Sequence, residues 1–238
     1  YRFIGLSPVD GGPLFDDYSE QVDLLKNLNK YETFTTVLKP TGKRDPSMSG
    51  SVYNNFIWKR FRANLTLAYS LGAKLRQSRI LAQRPADDEN RFIYSEFNAN
   101  RALLNRWKAP GDEKNTIIPA IIGTNQPGYY AYNRHWTQQG GYEGIIFAET
   151  AWDMYDYCDA RVVSGNYLKC SNVSVAYVLP EKWLKTVRIS RFEATLSATN
   201  LFTVCSKKLK GQTPTQSVFS QVQLSDRPTI SLGFNVSF

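Results

Sequence analysis

The carboxylates of WDMYDYCDAR (152–161) are the first groups to test for chemistry. Asp153, Asp156 and Asp159 recur every third position, a spacing that matches neither the D-x-D-x-D-G calcium loop nor any zinc signature. They read as ordinary loop carboxylates. His135 is the only histidine, so a Ser-His-Asp relay would rest on it alone. No G-x-S-x-G elbow or neighbouring nucleophile accompanies it. Cys158, Cys170 and Cys205 are odd in number, far apart and without CxxC spacing, which suits neither a disulfide framework nor a zinc site. These groups point away from an enzyme and call for no cofactor and no metal.

The aromatic run GYYAYNRHWTQQGGY (128–142) is a different matter. Tyr129, Tyr130, Tyr132, Trp136 and Tyr142 are interleaved with Arg134 and with the amides Asn133, Gln138 and Gln139. Rings beside guanidinium and amide donors suit stacking on a sugar or capture of a peptide. Packing of the long loop against its neighbours is the other use the same rings allow. Arg106, Trp107 and Asp112, in NRWKAPGDEKNTIIP (105–119), read as fixing a loop conformation.

Any such site has to be held by the rest of the chain. Its 238 residues carry a net charge of +8, with 29 basic against 21 acidic side chains. The basic residues are scattered, the densest cluster being Lys207, Lys208 and Lys210. No helix-turn-helix, zinc-finger or RNP pattern goes with them, so nucleic acid is not an expected partner. No apolar run nears the roughly 18 residues of a membrane helix. A transmembrane barrel remains open, because its strands are only half apolar. The chain opens on Tyr1 with no charged-then-apolar leader, so any targeting signal is expected outside it.

Period-two alternation is the strongest pattern, as in a strand with one apolar face. From Phe61 to Ala73 every odd position is apolar or aromatic, and no even one is a large apolar residue. Phe192, Ala194, Leu196 and Ala198 alternate with Arg191, Glu193, Thr195, Ser197 and Thr199. Val173, Val175, Tyr177 and Leu179 mark another strand, and Val52, Phe56 and Trp58 a weaker one that Asn54 interrupts. Ile230, Leu232, Phe234, Val236 and Phe238 mark the last. Strands are therefore expected near 51–59, 61–75, 165–179, 187–203 and 229–238. Long, poorly periodic excursions cover 1–47, 76–160 and 204–227, with one helix expected near 18–30.

Short turns at one end and long loops at the other is the arrangement of an outer-membrane barrel. Phe61 to Tyr69 covers roughly 26 Å of chain, or about 19 Å of membrane normal at a 45° tilt. The two rings thus bracket most of an apolar band about 25 Å tall. Trp58, Phe61, Tyr177, Trp183 and Phe238 gather at the short-turn ends, where amphipathic rings favour a membrane–water boundary. A β-sandwich shows the same alternation.

Six segments in order then resemble the C-terminal part of a SusC/RagA-like TonB-dependent outer-membrane transporter of Bacteroidetes. They are YRFIGLSPVDGGPLF, PSMSGSVYNNFIWKRFRANLTLAYSLGAKLR, NRWKAPGDEKNTIIP, YDYCDARVVSGNYLKCSNVSVAYVLP, SATNLFT and the terminal ISLGFNVSF. Cys158 stands where the family usually has Ser, and the stretch 123–150 has no aligned counterpart.

The resemblance implies an all-β fold: the C-terminal strands of a large antiparallel transmembrane β-barrel with long extracellular loops. Residues 1–238 would be an incomplete domain, completed by the N-terminal remainder of the barrel and its plug. It implies a nutrient importer of glycans or peptides in the outer membrane, driven through TonB and working with a SusD-like lipoprotein. On that reading Tyr129, Tyr130, Tyr132, Arg134, Trp136 and Tyr142 are candidates for contact with substrate or with the lipoprotein lid. Ile230, Leu232, Phe234, Val236 and Phe238 resemble the terminal signal read by the outer-membrane assembly machinery. An adhesin barrel without transport, or a secreted carbohydrate-binding β-sandwich, are the alternatives.

Overall fold

A computed structural model describes residues 1–16, 28–80, 100–123, 125–133, 150–184, 188–215 and 226–238. The chain divides into two compact units. One comprises 1–41 and 76–162, the other 42–75 and 163–238.

The second unit is an antiparallel sheet, and the all-β expectation holds there. Among the described residues nine strands are labelled in chain order. The sheet uses β3 (Met48–Trp58), β4 (Phe61–Leu71), β7 (Tyr167–Val178), β8 (Arg191–Cys205) and β9 (Thr229–Ser237), in the spatial order β3-β4-β7-β8-β9. β3 and β9 are its edges, so the sheet is open and closes no barrel by itself. No described helix is long and apolar enough to cross a membrane. Trp58 and Phe61 face each other across a two-residue hairpin turn, with Lys59 at φ 53°. A short helix (Glu181–Leu184) lies in the β7–β8 connection.

The alternating run from Phe61 does not continue to residue 75 as one strand. Gly72 adopts φ 88° and gives its amide to Asn166 Oδ1 at 2.8 Å. An ordinary residue rarely takes that conformation, so the strand stops before it. Beyond it, β5 (Lys74–Arg76) pairs with β6 (Val162–Ser164), and Leu75, Val163 and Leu209 form a small core.

The first unit gathers two of the poorly periodic excursions around a core of their own. β1 (Arg2–Leu6) and β2 (Pro13–Asp16) form a hairpin. Leu6, Leu103, Trp107, Ile118, Ile122, Tyr129, Trp152 and Tyr155 are buried together. Few of these segments exceed one or two turns, too short to carry a legible hydrophobic period. The helix expected near 18–30 falls largely on residues 17–27, outside the described residues. Among the described residues a helix occupies Lys30–Val37, opened by a capping box: Asn29 Oδ1 accepts from the Glu32 amide at 3.0 Å, and Glu32 accepts from the Asn29 amide at 2.9 Å.

Candidate functional site

Cross-strand register determines what each face of the five-stranded sheet presents. One row joins Phe56, Ala63, Val175, Leu196 and Leu232; the next joins Leu65, Val173, Ala198 and Ile230. Leu196 is 53% exposed although its strand lies inside the sheet, and Leu232 is 63% exposed. Opposed residues share a face, so these rows form one contiguous apolar surface. A surface of that extent, left uncovered, marks an apolar medium or partner.

Aromatic rings close this face at the short-turn end. Trp58 stacks on Phe61 at 6.3 Å, Phe61 lies 4.6 Å from Tyr177, and Phe192 lies 5.7 Å from Phe234. Ile230, Leu232, Phe234 and Val236 fall on the exposed edge strand β9, with Phe238 just past its end.

The opposite face is polar and internally hydrogen-bonded. Tyr53 donates its hydroxyl to Asn64 Oδ1 at 3.0 Å, and the Asn64 amide donates to Ser174 Oγ at 3.3 Å. Glu193 takes Arg62 at 3.5 Å and Arg191 at 2.8 Å. Thr195, Ser197 and Thr199 continue the same face of β8 opposite Gly233, Ser231 and Thr229. Two irregularities keep the faces in phase. β7 carries Ser171 as an extra residue against β4, and β8 inserts Asn200 (φ 53°) and Leu201 opposite it. Asn tolerates the left-handed region, and such bulges add local twist.

Beside the long-loop end of β7 and β8 lies a cavity of about 590 Å³, lined among others by Tyr167, Lys169, Phe202, Lys207 and Asp226. Lys169 is held by Asp226 at 2.6 Å.

In the first unit the aromatic run is split between roles. Tyr129 is buried in the core, while Tyr130 is exposed and meets it edge-on at 5.4 Å. Tyr132 packs on Trp152 at 5.5 Å, lies against the Cα of Gly12 where no Cβ would fit, and donates its hydroxyl to Asp10 at 2.8 Å. Burial, then the bond to Asp10, pushes the Tyr132 phenol well above its ordinary value. Two of these three rings are thus committed to packing, while Tyr130 stays 56% exposed. Arg134, Trp136 and Tyr142 lie outside the described residues, as does His135.

The loop 105–119 is tied down by its own hydrogen bonds. Asp112 accepts the amides of Lys108 and Ala109 at 2.9 and 3.1 Å, Trp107 donates to Glu113 at 3.3 Å, and Arg106 donates to the Leu103 carbonyl at 3.1 Å. Glu113 is held below the usual carboxylate range by its backbone hydrogen bonds.

The three carboxylates of WDMYDYCDAR have separate structural duties. Asp153 pairs with Thr150, the N-cap of the helix Ala151–Asp156, at 2.7 Å. Asp159 accepts the Phe3 amide at 3.0 Å. Asp156, fully buried, meets Arg161 at 3.4 Å and accepts the Ile80 amide at 3.0 Å. Arg161 also donates to the Ser78 carbonyl. Nothing in the spacing announces this buried pair; only an Asp-x-x-x-x-Arg separation precedes it. Among the described residues no three His, Cys, Asp or Glu side chains converge as metal ligands. All three cysteines are free, and burial pushes the Cys158 thiol up.

No family model matches the chain, and no curated protein matches it. Solved structures do. The chain is similar over its whole length to the RagAB peptide importer in its closed-closed state (20% identity, TM-score 0.59) and in its open-open state (17% identity, TM-score 0.55). A third structure of the RagAB peptide transporter matches at 16% identity and TM-score 0.58. In each case the match covers 22% of the solved chain, so this chain spans about a fifth of the length of its structural neighbours. The shared property is the fold: an antiparallel sheet and its long connections, as found in one part of an importer chain.

Proposed function

We propose that the chain is a wall segment of an outer-membrane β-barrel importer of the RagA-like, TonB-dependent kind, with a transport rather than a catalytic role. The observation that carries this is the sheet itself, apolar and exposed on one face and hydrogen-bonded polar on the other. Hydrocarbon accepts the first, and a water-filled or plugged lumen accepts the second. The fold likeness to the RagAB chains supports the same reading. On this reading β3 and β9 pair with further strands of the barrel, because hydrocarbon offers no partner for edge N–H and C=O groups.

The long connections then lie on the extracellular side, where a SusD-like lipoprotein and the cargo would meet them. Tyr130, with Arg134, Trp136 and Tyr142, is the group assigned to that contact. The structural neighbours are described as importing peptides, so peptide is the cargo to test first, with glycan as the alternative. The test is uptake of labelled oligopeptides and oligosaccharides by cells with and without the intact gene, repeated with TonB inactivated. Uptake of one class should fall in both backgrounds. Unchanged uptake of both classes would overturn the importer.

A further inference from the structure

The connections at the short-turn end of the sheet carry positive charge just beyond the aromatic rings. Lys59 and Arg60 form the β3–β4 turn, Lys182 lies on the short helix after β7, and Arg188 precedes β8; all four are exposed. The Val178 amide donates to the Arg60 carbonyl at 3.0 Å, and the Leu179 amide to the Phe192 carbonyl at 2.9 Å. Both connections therefore sit at one end of neighbouring strands. Among the described residues, none of the four cations has a carboxylate partner. Arg191 is excluded from the set because Glu193 holds it at 2.8 Å. Glu181 is the exposed acid at this end.

Turn chemistry does not explain the choice of residues. Lys59 and Arg188 both take positive φ, 53° and 57°. Such positions in tight turns favour Asn or Gly. The rings place the cations in depth. Trp58 and Trp183 are each 65% exposed, and Lys59 Nζ lies 5.1 Å from the Trp58 ring centroid. Exposed Trp favours the boundary of a bilayer, and a long cationic side chain one residue further out reaches the phosphate layer while its stem stays on the apolar side.

We propose that this end of the sheet binds the headgroups of anionic phospholipids, with Lys59, Arg60, Lys182 and Arg188 as the cationic contacts. The proposal rests on the lipid-facing reading of the apolar surface, which it extends from hydrocarbon to headgroup. Each cation near an anionic surface adds on the order of fivefold to association.

The experiment uses the whole protein folded into vesicles, with tryptophan fluorescence quenched by brominated phosphatidylglycerol or by brominated phosphatidylcholine at equal mole fraction. Phosphatidylglycerol should associate several-fold more strongly, and added salt should erase the difference. Combined K59S, R60S, K182S and R188S should abolish the preference while leaving quenching by phosphatidylcholine intact. Equal quenching of the wild type by both lipids, a preference insensitive to salt, or a preference retained in the variant would each overturn the proposal. Should the variant not fold, the wild-type ratio and its salt dependence decide. Quenching by neither lipid would instead overturn the lipid-facing reading beneath it.

Discussion

Substituting Leu196 by Arg, with Thr195→Arg as its neighbour on the other face, separates a lipid-facing wall from a surface in water. Leu196 sits in a central strand between Val175 and Leu232, and is 53% exposed. It lies four residues beyond Phe192, whose ring meets Phe234 near the short-turn end. At about 3.3 Å per residue and a 45° tilt, that is about 9 Å along the membrane normal. A band about 25 Å tall then has Leu196 near its midplane. An Arg there costs about 2–4 kcal/mol. The folded-to-unfolded ratio should fall by about thirtyfold to nearly a thousandfold. Thr195 points to the polar face opposite Ala176 and Gly233, where an added side chain meets small neighbours and stays hydrated. Thr195→Arg should cost under about 1 kcal/mol. The assay is urea titration of folding into lipid vesicles, read by heat-modifiable gel mobility. Equal midpoints for the two variants would refute the facing, since in water both substitutions are surface changes.

Two further outcomes concern the first unit. Asp156→Asn strands the buried Arg161 guanidinium and should destabilise the unit by about 3–5 kcal/mol. Asp16→Asn, which removes the exposed 3.2 Å pair with Arg2, should cost about 0–1 kcal/mol, and amide hydrogen exchange across residues 150–161 compares the two. Burial pushes the Tyr155 phenol up to about 12 from an ordinary 10.0, despite the opposing charge of Arg161. The fold thus prefers the neutral phenol, so its contribution is complete below about pH 10 and is lost as pH rises towards 12. Tyr155→Phe should flatten alkaline unfolding across that window, followed by near-ultraviolet circular dichroism; an unchanged alkaline limb would show that another group controls it.

Strands announce themselves through neighbours in sequence, so the alternations around Phe61, Val173, Phe192 and Ile230 were legible without a structure, as was the face shared within each unbroken run. Turn chemistry was less so: Lys59, Arg188 and Asn200 take positive φ without the glycine that would have flagged them. Only tertiary structure joins β4 to β7, whose nearest partners in sequence, Ser70 and Tyr167, are 97 residues apart, because pairing of distant strands leaves no local trace. The bulge at Ser171 also escapes a reading by period, since one extra residue flips the parity of β7 and the compensating insertion lies on another strand. The core around Trp107, Trp152 and Tyr155 draws single residues from one-turn elements, each too short to show a period. The same limit divided the tyrosines. Tyr129, Tyr130 and Tyr132 are alike by type and spacing, and only tertiary packing buries Tyr129, sets Tyr132 against Trp152, Gly12 and Asp10, and leaves Tyr130 exposed.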